Sequence, residues 1–195
     1  MVRKRVSVLE LGFGDGRKIT ALAKKPKHKK RKFIGVEWEK RSGLNLRLHN
    51  LKLAFGDSYN KLRRMPPESV NSVTADFFLS EFKINGKEAH DHLKFRKQVQ
   101  QKYKMQKIAT IKEVFRVLAK NGRVYVLEYG SQVATTIALL NEAGFVCTKK
   151  PVPQSQMHRT EFLTDISHSM SKNPIDANSL QPFVITARKS SVAKV

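Results

Sequence analysis

Cysteine is almost missing from this chain: Cys147 is the only one in 195 residues. A disulfide framework and a thiolate zinc cluster are therefore excluded, and free-thiol usage of this kind fits a cytoplasmic setting. Long apolar runs are missing too. No stretch approaches the roughly 18 residues that a membrane helix needs. The start, MVRKRVSVLEL, is basic and then apolar like a secretory leader, but it meets Glu10 after a short run and lacks a small-residue cleavage site. It is expected to form a first β-strand. Acidic residues are scarce, with 16 Asp and Glu against 38 Lys and Arg, a formal net charge of +22. Such a surface attracts polyanions, which makes RNA the expected partner and a membrane not. The plainer alternative is charge that serves solubility alone.

What is present is an alternation of strand-like and helix-like segments, the pattern of a parallel sheet with helices on both faces. Strands are predicted at Val6 to Leu11, Phe33 to Glu37, Lys52 to Gly56, Ser72 to Asp76, Arg123 to Tyr129, Phe145 to Lys149 and Phe183 to Arg188. Apolar faces at helical spacing lie between them: Ile19, Leu22 and Ala23; Leu44, Leu48 and Leu51; Ile108, Ile111, Phe115 and Leu118; Val133, Ile137 and Leu140. Asn121-Gly122 and Ala143-Gly144 are expected to end the last two helices. Lys83 to Gln106 and Pro151 to Gln181 are expected to be the least regular parts. One domain over 1–189 is expected, with a frayed tail at 190–195.

Leu9-Glu10-Leu11-Gly12-Phe13-Gly14-Asp15-Gly16-Arg17 follows the first strand and opens a helix, the context of a glycine-rich nucleotide loop. Gly12 and Gly14 allow close backbone approach to a ligand, and Gly16 allows tight packing of the helix start. Glu37 closes the second strand about 20 residues later, where a carboxylate can accept from both hydroxyls of a ribose. A dinucleotide-binding dehydrogenase loop remains an alternative for this segment alone.

E-x-G-x-G-x-G on a first strand and a glutamate ending the second resemble the first two motifs of class I S-adenosylmethionine-dependent methyltransferases. Phe55-Gly56-Asp57 and Val117-Leu118-Ala119-Lys120-Asn121-Gly122-Arg123-Val124 are similar to two further motifs of that family, in order. The resemblance implies a Rossmann-like α/β fold with a seven-stranded, mostly parallel sheet, and S-adenosylmethionine as cofactor. It implies that Glu10, Gly12, Gly14 and Gly16 hold the methionine portion, Glu37 the ribose and Asp57 the adenine. Trp38 is placed to stack on the adenine; as a packing anchor it would serve only the core. Within the family, ELGFGDGR, GVE and Gly56-Asp57 look most like the tRNA guanine-N7 methyltransferases. The chain departs from them after its fourth strand, with Asp76-Phe77-Phe78-Leu79 where they carry Pro-Asp-Pro-Trp.

That position faces the acceptor in such enzymes. Asp76 is the candidate catalytic group and Glu81 the second, while Phe77 and Phe78 either stack on a base or fill the core. No cysteine stands there, which argues against cytosine C5 methylation through a thiolate adduct. Two basic segments differ in meaning. Lys83 to Lys107, with Lys94, Arg96 and Lys97 beside His90, His92, Phe95 and Tyr103, leaves the carboxyl end of strand four and suits phosphates and splayed bases of tRNA or rRNA. A solvated amphipathic helix is its alternative, and His90-Asp91-His92 lacks a third metal ligand. The run from Lys24 to Lys32 enters the amino end of strand two and should lie away from the site. A small-molecule or protein methyltransferase, and a non-catalytic RNA-binding protein, are the rival functions.

Overall fold

The computed structural model describes residues 5–37, 48–76, 96–153, 155–156 and 181–190, with the backbone alone for 96–100, 102 and 103. Seven strands form one sheet: β1 (Val6–Leu11), β2 (Phe33–Glu37), β3 (Leu51–Phe55), β4 (Val70–Asp76), β5 (Leu118–Tyr129), β6 (Phe145–Pro151) and β7 (Pro182–Lys189). Their order is β3-β2-β1-β4-β5-β7-β6. The first five are mutually parallel, and β7 runs antiparallel to β5 and β6. Among the described residues, four α-helices join them: α1 (Arg17–Lys24), α2 (Ser58–Arg63), α3 (Arg96–Val117) and α4 (Gly130–Glu142).

Side-chain alternation in the strands sorts the helices onto two faces. Leu9 and Leu11 of β1, with Val36, Val73 and Ala75, pack against Leu62 of α2, Ile111 and Val114 of α3, and Val133 and Leu140 of α4. Val8 points the other way and joins Phe33, Leu51, Leu53 and Phe55 against Ile19, Leu22 and Ala23 of α1. Glu10, Glu37 and Asp76 share the parity of this second set, so three acids from adjacent strands share the α1 face at the carboxyl edge.

Three expectations are corrected. Leu51 begins β3 and Leu48 bridges back to it, so these two do not continue a helix; Leu44 lies outside the described residues. The reason is tertiary: Asn50 donates from Nδ2 to the carbonyls of Ala23 (3.0 Å) and His28 (3.3 Å), and its own carbonyl accepts from Phe33 N–H, which holds the chain in a turn. Asn121-Gly122 does not end a helix either. α3 stops at Val117, and Val70 pairs with Leu118 but Ser72 with Arg123, so 119–122 bulges out of β5. Gly122 is needed there for closeness, since a Cβ would meet the Asn71 carbonyl oxygen at 2.8 Å. Finally, α3 begins at Arg96, inside the stretch expected to be irregular; its first turns are rich in Lys and Gln, which favour helix without an apolar stripe. At the other end, Ser190 N–H donates to Gly144 O, and 191–195 lie outside the described residues.

Candidate cofactor site

The loop between β1 and α1 turns three times through left-handed backbone, at Gly12 (φ 70°), Gly14 (φ 57°) and Gly16 (φ 72°), a conformation that costs other residues heavily. Gly16 is the N-cap of α1, and its carbonyl accepts the first helical bond from Thr20. The loop is fastened to β2 twice. Gly12 N–H donates to Val36 O at 2.8 Å, and Gly14 N–H donates to Glu37 Oε2 at 2.7 Å. Glu37 therefore positions the glycine loop as well as ending its strand, a role that spacing alone did not suggest.

Phe13 is the third fastening. Its ring is buried, meets Phe55 edge-on with centroids 5.7 Å apart, and lies over Gly35 of β2. A Cβ at position 35 would sit 2.7 Å from Phe13 Cδ1 and 3.0 Å from Leu53 Cδ2. Gly35→Val is expected to destabilise the fold by roughly 1–3 kcal/mol, the scale of overpacking. Urea unfolding measures it, and an unchanged midpoint would mean that Phe13 is displaced without cost.

Glu10 sits on β1 at 4% exposure, beside the loop it precedes. Its Oε1 is 3.4 Å from Lys18 Nζ, while its Oε2 is buried with no hydrogen-bond partner. Burial pushes its carboxyl up from 4.5 to about 7; Lys18 opposes that rise, and Asp76 and Asp15 add to it. Lys18 Nζ also donates to Asp76 Oδ2 at 2.5 Å. One ammonium from the start of α1 thus bridges the acids of β1 and β4. Asp57 follows β3 and caps α2: its Oδ1 accepts from Tyr59 N–H at 3.0 Å and its Oδ2 from Asn60 Nδ2 at 2.8 Å. A carboxylate has about four acceptor positions, so these bonds leave capacity for a ligand.

Glu10, Gly12, Gly14, Gly16, Glu37, Asp57 and Asp76 are thus brought to one edge of the sheet. Trp38, Phe77, Phe78, Glu81 and Lys94, with His90 and His92, lie outside the described residues, and Arg96 and Lys97 open α3 with only their backbone described. The Lys24 to Lys32 run lies at the opposite, amino edge, where the Lys32 carbonyl accepts from Ser7 and Val8 at the start of β1. Its turn is anchored by His28, whose buried ring contacts Leu22 O through Nδ1 at 2.9 Å.

Sequence reasoning missed Lys18 and Glu128. Glu128, fully buried near the end of β5, accepts from Thr136 Oγ1 on α4 at 3.2 Å and from Tyr129 N–H at 3.1 Å. Burial pushes the Lys107 ammonium on α3 below its ordinary value, and the Glu128 carboxylate opposes that fall. The Thr136 bond ties α4 to the face opposite the glycine loop, and Lys107 of α3 is drawn electrostatically towards the same acid.

Solved structures are similar to this fold across nearly the whole chain. A SAM-dependent methyltransferase from Methanosarcina mazei is similar at TM-score 0.56 and 15% identity, over 96% of this chain and 94% of that one. The chain has the class I methyltransferase fold. A Haemonchus contortus phosphoethanolamine N-methyltransferase in complex with S-adenosyl-L-methionine is similar at TM-score 0.60 and 11% identity, over 97% of this chain and 50% of that one. The [4+2]-cyclase SpnF is similar too, at TM-score 0.56 and 15% identity, over 96% and 76%. No protein-family model matches the chain, and no curated protein does. The fold is therefore shared with enzymes of different reactions, and the site must carry the functional argument.

Within this fold the residues present fit S-adenosylmethionine. Glu10 offers a buried acid oxygen lacking a donor, and a Cβ at Gly14 would meet nothing within 4 Å, so the backbone there is open to close approach.

Proposed function

We propose that this chain is an S-adenosylmethionine-dependent methyltransferase acting on RNA. The observation that carries the cofactor is the buried, partnerless oxygen of Glu10 beside a glycine loop that Glu37 pins to the next strand. Glu10 and the Gly12, Gly14 and Gly16 backbone would hold the methionine portion, Glu37 the ribose, and Asp57 with Trp38 the adenine. When bound, the cofactor supplies an electrophilic methyl group. The chain's own contribution is orientation: Phe77 and Phe78 present the acceptor, and Asp76, or Glu81 in second place, orients it and takes its proton where it has one.

RNA is supported by the net charge of +22 and by the basic segment that follows β4. The tRNA guanine-N7 reading rests on the loop and β2 motifs, and Asp76-Phe77-Phe78-Leu79 in place of Pro-Asp-Pro-Trp sets the acceptor side apart. Incubation with labelled S-adenosylmethionine and total RNA is expected to label RNA, and mapping the labelled nucleoside names the atom. Label in small molecules or protein instead would overturn the RNA assignment, and no transfer to any fraction would overturn the activity.

Two further outcomes follow from these placements. Glu37→Ala is expected to weaken cofactor binding by roughly 1.5–3 kcal/mol by calorimetry, the scale of hydrogen bonds to a charged group. Equal affinity in a folded variant would remove Glu37 from the site. Neutralising Lys94, Arg96 and Lys97 is expected to lower methyl transfer and flatten the salt dependence of RNA binding by about one slope unit per lost phosphate contact. Neutralising Lys27, Lys29 and Lys30, at the amino edge, should weaken RNA affinity while saturated turnover holds; equal turnover losses would contradict the separation of the two edges.

A further inference from the structure

Lys18 belongs to no motif, yet its ammonium lies between the acids of two strands of the site. It is the second residue of α1, directly beyond the glycine loop, and its side chain is 49% exposed. Its ammonium is not shared evenly. At 2.5 Å from Asp76 Oδ2 it makes a tight charge-assisted bond, whereas 3.4 Å from Glu10 Oε1 is well beyond the usual 2.7–2.9 Å of such bonds. Glu10 is the more deeply buried of the two acids and the worse served, with Oε2 lacking any partner. A buried carboxylate in this condition favours any cation that can approach more closely than Lys18 does.

We propose that Lys18 is a stand-in cation, bridging Glu10 and Asp76 until the α-ammonium group of an incoming amino-acid-bearing nucleoside takes its place at Glu10. This inference rests on the cofactor reading above and extends it. Two ammonium groups crowded at Glu10 repel one another in a partly buried site, and Lys18, held there only loosely at 3.4 Å, is the one to give way. Lys18 has an open path, because half of its side chain already faces water. One positive charge leaves as one arrives, and the acids are never both without a partner. The departure of Lys18 also uncovers Asp76, so arrival of the cofactor makes available the group assigned to the acceptor.

The test uses the intact chain and S-adenosylhomocysteine, which carries the same α-ammonium group. A zero-length carbodiimide should join Lys18 to Asp76 or Glu10 in the free protein, and mass spectrometry reads that isopeptide bond. Saturating ligand should abolish the cross-link while acylation of Lys18 by an amine-reactive ester rises several-fold. If calorimetry detects no binding, the cofactor reading and the exchange both fall. If the ligand binds and the cross-link persists, or cross-link and acylation are lost together because Lys18 is covered in place, the exchange falls and the cofactor reading stands.

Discussion

Glu10→Gln is expected to make the cofactor-free chain more stable at pH 8 and, at the same pH, to weaken its hold on S-adenosylmethionine by about 10- to 100-fold, the scale of a charge-assisted hydrogen bond. Both effects come from one buried carboxylate. Burial raises its pKa to about 7 from 4.5, so the folded chain holds this proton more tightly than the unfolded chain. Stability therefore falls as pH rises from 4.5 towards 7, and the full cost stands above that range. The gap corresponds to roughly 3 kcal/mol. Glutamine carries no charge and escapes the cost, so its advantage should be absent near pH 4, grow through pH 5 to 7 and then level off. Thermal unfolding across pH 4 to 8 reads this as several degrees, since a domain of this size moves roughly 2–4 °C per kcal/mol. Parallel melting curves at all pH values would mean that Glu10 bears no such burden. Unchanged affinity would detach it from the cofactor.

Asp76→Asn is expected to separate chemistry from binding. Turnover should fall by about 100-fold or more if the carboxylate takes a proton or orients the acceptor, the usual scale for a positioned acid-base group. The Lys18 bridge refines the expectation for the cofactor. Asp76 contributes to raising the Glu10 pKa, so its neutralisation should leave cofactor affinity similar or slightly tighter near neutral pH. Steady-state kinetics with saturating RNA and calorimetry with the cofactor measure the two halves. A loss confined to KM would indicate uniform binding of the acceptor. Full activity would reduce Asp76 to a strand-terminal ligand of Lys18 and move the search for the acceptor group to Glu81.

The strands that flank the site were legible because each is a β-rich run closed by a glycine or an acid. Val6–Leu11 and Phe33–Glu37 match the sequence reading to the residue. The α1 face was legible from the helical spacing of Ile19, Leu22 and Ala23. The misreadings fall where distant groups set the backbone. Asn50 turns the chain before β3 by bonding to carbonyls more than twenty positions away, and the β5 bulge depends on how Gly122 meets Asn71. Within the site, the glycines and Glu37 were found through their spacing, whereas Lys18 and Asp76 are 58 positions apart and no periodicity joins them. The fastening of Glu37 to Gly14 was hidden likewise, since spacing reveals that two groups are near but not which bonds to which.

The seating of Phe13 over Gly35 has a consequence for how this site can change. Ring and hollow are two halves of one joint, the ring from the nucleotide loop and the hollow from β2. The loop is therefore no portable cassette. Transplanted onto a sheet with an ordinary side chain at the receiving position, the same residues would be lifted off the strand, and the Gly14 amide would lose its alignment with the acid that holds it. Inheritance meets the same joint: an enlargement at position 35 costs least where the side chains facing it at positions 13 and 53 have already shrunk, so the order of the changes sets how much stability is lost on the way.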